Sequence, residues 1–381
     1  MSVKIVVSAE ELNKTMEYVS LISGAAPGKK KSDDIVPAVG SMKITAVSPK
    51  SDKSYLLIFE CVGLSEQLVY RMEGKSYFST EMASAIVDVK SFMTLVKTFS
   101  NDIELAFEDK YLGVNCGSSN YKVTLSRIEL PKLALPKDGQ KLILSVDFLV
   151  NANRFCAVAC ARNENRGPAF SCIQINLQAD GSAVCYATDS HKLAKYVNEK
   201  AGSNCQISLL MTPINISHIT EMCSENELTI IPDSKAIYVT TPRFDYMCYR
   251  INGQMPDCEK IFRNHKSIQT IVVDRSKLFT AVSRAMIFSG DKEESKIKFA
   301  TDNENIYINA DSVSGGGLDS IPLDSCTGND DKGHNVSGIS LSKLLSSCGS
   351  EKVSISISDP LAPVILSIPD TQNAYVLTAM R

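Results

Sequence analysis

No apolar run in this 381-residue chain approaches the roughly 20 residues needed to cross a bilayer. The first residues pass from Met1 straight into a strand-like run, 3–7, with no basic leader segment. A cytoplasmic protein with no membrane partner is the expectation. Twelve cysteines are present without one Cys-x-x-Cys pair, and the four histidines (His191, His218, His265 and His334) lack zinc-type spacing. That pattern argues against a metal or disulfide scaffold, and scattered free thiols suit a reducing compartment. No metal or cofactor is expected. Catalytic signatures are missing as well: there is no Gly-x-Ser-x-Gly elbow and no His-Glu-x-x-His. Residues 24–30 approach a phosphate-binding loop, but three residues separate the glycines where four are needed, and no Ser or Thr follows its lysine, Lys29. A solvated basic loop is the plainer reading. Nor is positive charge in excess. The net charge of −3 tells against a dominant basic surface and leaves room only for a local basic face.

What the chain does have is repetition. Its composition, 44% hydrophobic and 22% charged, is that of a globular protein too long for one core. The run 3–7 leads through Ser8, a good helix cap, into Leu12, Met16 and Val19 at helical spacing, and Gly24 ends the pattern. The run 142–146 leads likewise through Asp147 into Phe148, Ala152, Phe155 and Ala159; the run 271–273 leads through Asp274 into Leu278, Val282 and Ala285. Each copy continues through further strands to a second helix (90–99, 214–223, 341–348), a polar turn and a strand (103–107, 228–231, 353–357). Each closes on a final strand: 121–128, 244–251 and 374–381. The expectation is an α+β fold of three repeated domains, 1–138, 139–267 and 268–381, each of about 127 residues. Proline-bearing linkers join them. Cys156 and Cys160, four apart on a predicted helix, read as small buried side chains and not as ligands.

The polar faces of the six predicted helices carry Lys14, Lys90, Lys97, Arg154, Arg162, Arg275, Lys277, Arg284 and Lys343. Taken singly, each is an ordinary solvated helix cation. If all six helices face one way, these residues share a surface and concentrate positive charge in a chain whose total is negative.

Between two alternating runs, 183–187 and 193–197, lies Thr188-Asp189-Ser190-His191-Lys192-Leu193-Ala194. Alone it is a hairpin turn. An enzyme reading would pair Asp189 with His191 to orient a nucleophile such as Cys185. The stretch resembles the Thr-Asp-Gly-His-Arg-Leu-Ala signature of the bacterial DNA polymerase III beta subunit family, the sliding clamps. Gly253-Gln254-Met255-Pro256-Asp257 is similar to that family's Gly-x-Phe-Pro-Asp-Tyr segment, and the ending Ala374-Tyr375-Val376-Leu377-Thr378-Ala379-Met380-Arg381 to its Tyr-Val-Val-Met-Pro-Met-Arg-Leu tail. The resemblance covers the whole chain, since three repeats have the family's length and order.

The resemblance implies DNA-clamp domains with strands outside and helices inside, two chains closing head to tail into a homodimeric ring around duplex DNA. It also implies a peptide pocket for the polymerase III catalytic subunit, the clamp loader and other replication and repair proteins. That role would fall on Thr188, Ser190, His191, Lys192 and Leu193 on one side and Val376, Thr378, Ala379, Met380 and Arg381 on the other. Leu193 and Met380 would form its apolar floor, or else be core residues of neighbouring strands. The chain departs from the pattern at Ser190 for Gly, Lys192 for Arg, Ala379 for Pro, Cys258 for Tyr, and Arg263 for a pocket proline, and it lacks the terminal hydrophobe. The alternative reading is a peptide-binding scaffold of the same fold that does not load on DNA.

Overall fold

The computed structural model describes residues 3–24, 38–47, 55–77, 82–162, 167–289, 295–312, 315–330 and 332–380. Its first strand, β1 (Val3–Val7), alternates buried and half-buried residues, and Ser8 in extended conformation turns the chain into α1 (Ala9–Ser23). Leu12, Met16 and Val19 fall on one face and are fully buried. Each such side chain gains about 1.5–3 kcal/mol from leaving water. Gly24 ends the helix in the left-handed region, φ 66°, which glycine adopts without steric cost.

The rest of the first repeat is β2 (Ser41–Ala46), β3 (Tyr55–Val62), β4 (Glu66–Glu73), β5 (Ser76–Tyr77), β6 (Ala83–Asp88), α2 (Val89–Val96), β7 (Ile103–Phe107), β8 (Tyr111–Cys116) and β9 (Ser119–Thr124). The second begins with β10 (Leu142–Ser145) and α3 (Val146–Cys156). It continues as β11 (Ile173–Leu177), β12 (Ala183–Thr188), β13 (Lys192–Asn198), β14 (Ile207–Met211), α4 (Pro213–Met222), β15 (Glu227–Pro232), β16 (Ala236–Thr240) and β17 (Phe244–Tyr249). A short helix, α5 (Glu259–Asn264), lies in the stretch read from sequence as a linker.

The third repeat is β18 (Gln269–Asp274), α6 (Arg275–Ala285), β19 (Lys296–Thr301), β20 (Asn305–Ser312), β21 (Gly315–Pro322), β22 (Ser325–Gly328), β23 (His334–Ser337), α7 (Gly338–Ser347), β24 (Lys352–Ile357), β25 (Val364–Ser367) and β26 (Ala374–Leu377). Asp88, Asp274 and Ser337 cap α2, α6 and α7, each accepting a backbone N–H from the first turn. The helix expected to carry Ala159 stops at Cys156 and gives way to a tighter 3-10 turn, Ala157–Ala159. Cys156 and Cys160 are both buried.

By contacts the chain divides into two compact units, Met1–Val146 with Ser217–Arg250 and Asp147–Ile216 with Ile251–Arg381. The first holds two sheets, β5-β1-β7-β8-β9 and β10-β15-β16-β17-β4-β3-β2-β6. The second holds β14-β11-β12-β13-β26-β25-β24-β18-β22 and β21-β20-β19-β23. One joint recurs in both units. The third strand after the first helix of one repeat pairs antiparallel with the last strand of the next: β4 with β17, from Phe244 opposite Tyr70 to Cys248 opposite Glu66, and β13 with β26, from Lys192 opposite Leu377 to Lys195 opposite Ala374. The remaining strands of those two kinds, β21 and β9, each end a sheet. Among the described residues, no helix is long and apolar enough to cross a membrane.

Candidate functional site

The β12–β13 turn is fixed by its own side chains. Asp189 Oδ1 accepts the backbone N–H groups of His191 and Lys192, both at 2.9 Å, while Thr188 Oγ1 donates to the Lys192 carbonyl at 2.8 Å and accepts the Ser190 N–H at 3.1 Å. Lys192 Nζ closes back on Asp189 as an ion pair. Burial alone would raise the Asp189 carboxyl, but the bonds from Lys192 and the turn amides outweigh it and hold the group below its ordinary value. Ser190 sits at φ 75°, in the left-handed region that glycine prefers, and the bonds on either side keep it there.

Behind the turn, β13 and β26 set Leu193 opposite Val376, and β25 sets Ile365 opposite Val376. This gives an apolar row across three strands. Leu193 is 2% exposed and Val376 3% exposed, packed with Cys258, Ile365 and Ala374 and against Tyr186 and Phe262. Two of these neighbours, Cys258 and Phe262, come from the stretch read from sequence as a linker. Beyond β26 the chain stays tied to the turn, with the Thr378 N–H donating to the His191 carbonyl at 3.0 Å and the Met380 N–H to the Asn335 carbonyl at 2.8 Å. Thr378, Ala379 and Met380 are half-buried; Ser190 and His191 are exposed. Arg263 is exposed and paired with Asp257 at 3.2 Å. Arg381 lies outside the described residues.

Cys185 is fully buried, burial pushes its thiol well up, and the Asp189 carboxylate is engaged by Lys192 and backbone amides. Among the described residues no group of three or more His, Cys, Asp and Glu could hold a metal ion.

Over 240 residues the chain is 21% identical to the beta sliding clamp of Staphylococcus aureus, and over 238 residues it is 20% identical to that of Staphylococcus epidermidis. These matches take in 61% of this chain, and the chain spans 62% of the length of the curated relatives it matches. No family model matches the chain. Solved structures align along its length: the DNA polymerase III beta subunit of Thermotoga maritima at TM-score 0.85 and 16% identity, covering 100% of this chain and 99% of that one. The beta chain of Streptococcus pneumoniae aligns at TM-score 0.88 and 16% identity, and a Pseudomonas aeruginosa sliding clamp bound to griselimycin at 0.87 and 19%, each covering 100% of both chains. This chain is similar in sequence to the beta sliding clamps and has their fold.

Within the clamp fold, the cations singled out from sequence separate by environment. Lys14, Lys90, Lys97, Arg154, Arg162, Lys277 and Arg284 are exposed, with Lys97 bridging to Glu17 at 3.9 Å and Arg284 to Asp319 at 2.7 Å. Arg275 is half-buried, its guanidinium donating to the carbonyls of Ser350 at 2.7 Å and Leu345 at 3.2 Å, where it closes the end of α7. Lys343 lies near the candidate site: burial, with the neighbouring charges of Arg162 and Lys192, pulls its ammonium below the ordinary value. Tyr186, Glu259, Phe262 and Ile365 were not singled out from sequence, and Cys258 was named only as a departure from the family pattern. The alternation of β12 was readable, but which strands become neighbours was not.

Proposed function

We propose that the protein is a DNA sliding clamp, a processivity factor without an active site that encircles duplex DNA in the cytoplasm as a head-to-tail homodimer. The observation that carries this reading is the strand joint. It is made twice within the chain, at β4–β17 and β13–β26, and the third pair of strands able to make it, β21 and β9, is left at sheet ends. A second chain supplies each with its partner, which satisfies the open edge groups and closes the assembly instead of extending it into a filament. The three repeats act as domains 1–138, 139–267 and 268–381, with sheets outside and helices inside.

Exposed cations on the helices, Lys14, Lys90, Lys97, Arg154, Arg162, Lys277 and Arg284, then face the duplex, together with the half-buried Arg275 and Lys343. Contacts through such residues and through water suit a tether that must slide, because each tight phosphate contact opposes movement along the helix. Topology supplies the residence time. The surface around Thr188, Ser190, His191, Lys192, Leu193, Arg263, Val376, Thr378, Ala379, Met380 and Arg381 receives short segments of the polymerase III catalytic subunit, the clamp loader and repair proteins. Griselimycin, bound by the relative from Pseudomonas aeruginosa, is a probe for that surface.

Primer extension on a long singly primed template, with a trap that limits the polymerase to one encounter, tests the function. Addition of this protein with a clamp loader should lengthen the products. Products of unchanged length with a polymerase and loader from the same cell would overturn the reading.

A further inference from the structure

The apolar row Leu193, Val376 and Ile365 belongs to one face of a sheet, and on that face it is covered by a very small element. The cover is α5, six residues long and with no residue of its own buried. Phe262 of α5 and Cys258 at its start pack on the row. So short a helix holds little stability by itself. What fixes it is polar. Glu259 accepts hydrogen bonds from the Tyr186 hydroxyl of β12 and from Lys195 Nζ of β13, the latter at 3.0 Å, and Lys195 Nζ also stands 5.3 Å over the Phe262 ring. At the far end, His265 Nε2 lies 3.0 Å from Ser356 Oγ of β24. The remaining bonds of the segment are internal: Asp257 accepts the Lys260 N–H at 3.2 Å and pairs with Arg263, so they move with it.

From this arrangement we infer that α5 is a lid over the partner site, with Phe262 standing where an apolar anchor of the ligand would sit and with Tyr186, Lys195 and Glu259 as its latch. The inference rests on the reading of this surface as a partner site. Lifting α5 breaks the bonds to the Glu259 carboxylate and the contact of His265 with Ser356, and uncovers the half-buried Phe262 ring and Cys258, while the β13–β26–β25 ladder beneath keeps its own hydrogen bonds. Such an opening is local, well below the free energy of unfolding the sheet. A ligand that needs the row binds only the open fraction, so its apparent affinity is reduced by that fraction. The site would thus discriminate in favour of partners whose anchor outcompetes Phe262.

Cys258 reports the lid without any ligand. It is buried against the row, and burial raises its thiol to about 11, so an alkylating reagent reaches it only when the cover lifts. Alkylation by iodoacetamide, resolved cysteine by cysteine by peptide mass spectrometry, should be faster at Cys258 in Glu259→Gln than in the parent, on the order of tenfold for the loss of charged hydrogen bonds. Cys185 and Cys156, buried elsewhere in the same unit, should label at unchanged rates. Griselimycin should bind Glu259→Gln more tightly by the same factor, and Tyr186→Phe should shift both readings in the same direction by less. Equal labelling and equal affinity in parent and variant would overturn the lid, as would acceleration of Cys185 in step with Cys258. Faster labelling of Cys258 alone, with no griselimycin binding by either protein, would count against the partner-site reading and not against the lid.

Discussion

The backbone N–H of Thr378 donates to the carbonyl of His191 at 3.0 Å, sealing the end of the third repeat onto the hairpin turn of the second. The first unit repeats the bond: the Tyr249 N–H donates to the Ser65 carbonyl at 3.1 Å, one residue past the β4–β17 ladder as Thr378 is one past β13–β26. The two turns are solved differently. At the first, Gly63 lets the backbone pass where a Cβ would stand 2.1 Å from the Ile22 carbonyl oxygen. At the second, side-chain bonds from Thr188 and Asp189 hold a non-glycine residue, Ser190, at positive φ.

That strain is removable. Ser190→Gly should stabilise the second unit, since the left-handed conformation costs a non-glycine residue roughly 1–2 kcal/mol, partly offset by glycine's greater freedom when unfolded. Ser190→Val should destabilise it. Thermal melting of the three proteins side by side measures the order, and a lower melting temperature for the glycine variant would contradict it.

Leu193→Ala should cost roughly 2–5 kcal/mol in denaturant unfolding, because the side chain is buried and its neighbours Val376, Ile365 and Cys258 collapse only partly into the space. Leu193→Lys should cost more, since it would bury an ammonium among apolar neighbours. A variant that melts with the parent would mean that the row beneath α5 is open in solution.

Acid should loosen the β12–β13 turn. Asp189 has a folded value lower than its ordinary one, so the stability it contributes is complete above the ordinary carboxylate range and is lost as pH falls through the folded value. Asp189→Asn should therefore melt lower than the parent at neutral pH, and the gap should narrow at acid pH. A gap that stays constant from pH 7 to the acid limb would show that the carboxylate is not the cause.

Lys122→Pro on β9 removes a backbone donor from a strand at a sheet end, and Leu318→Pro on β21 does the same on the complementary strand. Sedimentation should find each variant shifted from dimer toward monomer at micromolar concentration. A parent that is itself monomeric at that concentration would contradict the head-to-tail assembly.

Much of the fold was legible because it is local. Gly24 and the 3.6-residue spacing of Leu12, Met16 and Val19 mark α1 from sequence alone, whereas Ser8, read as a cap, makes no side-chain bond to the helix. Boundaries set by neighbours were not legible: the run expected to continue to residue 128 ends as β9 at Thr124, because its partner β8 begins opposite it at Tyr111. The helix expected at 90–99 ends at Val96, where the chain tightens and the Lys97 and Thr98 amides turn back to Met93 and Leu95. The candidate site was legible only in its turn. Nothing in sequence spacing brings Ile365 and Cys258 beside Leu193, and α5 is too short to show a helical period. Arg275 read as a surface cation because its partners, the carbonyls of Leu345 and Ser350, lie about seventy residues away in the chain.

Encirclement is the claim on which the rest depends. It is tested most directly by loading the labelled protein onto nicked circular DNA with a clamp loader, then passing the sample through gel filtration in salt high enough to screen phosphate contacts. The protein should remain with the circle and be lost when a single cut makes the DNA linear. Equal loss from circular and linear DNA, or equal retention on both, would contradict a topological link.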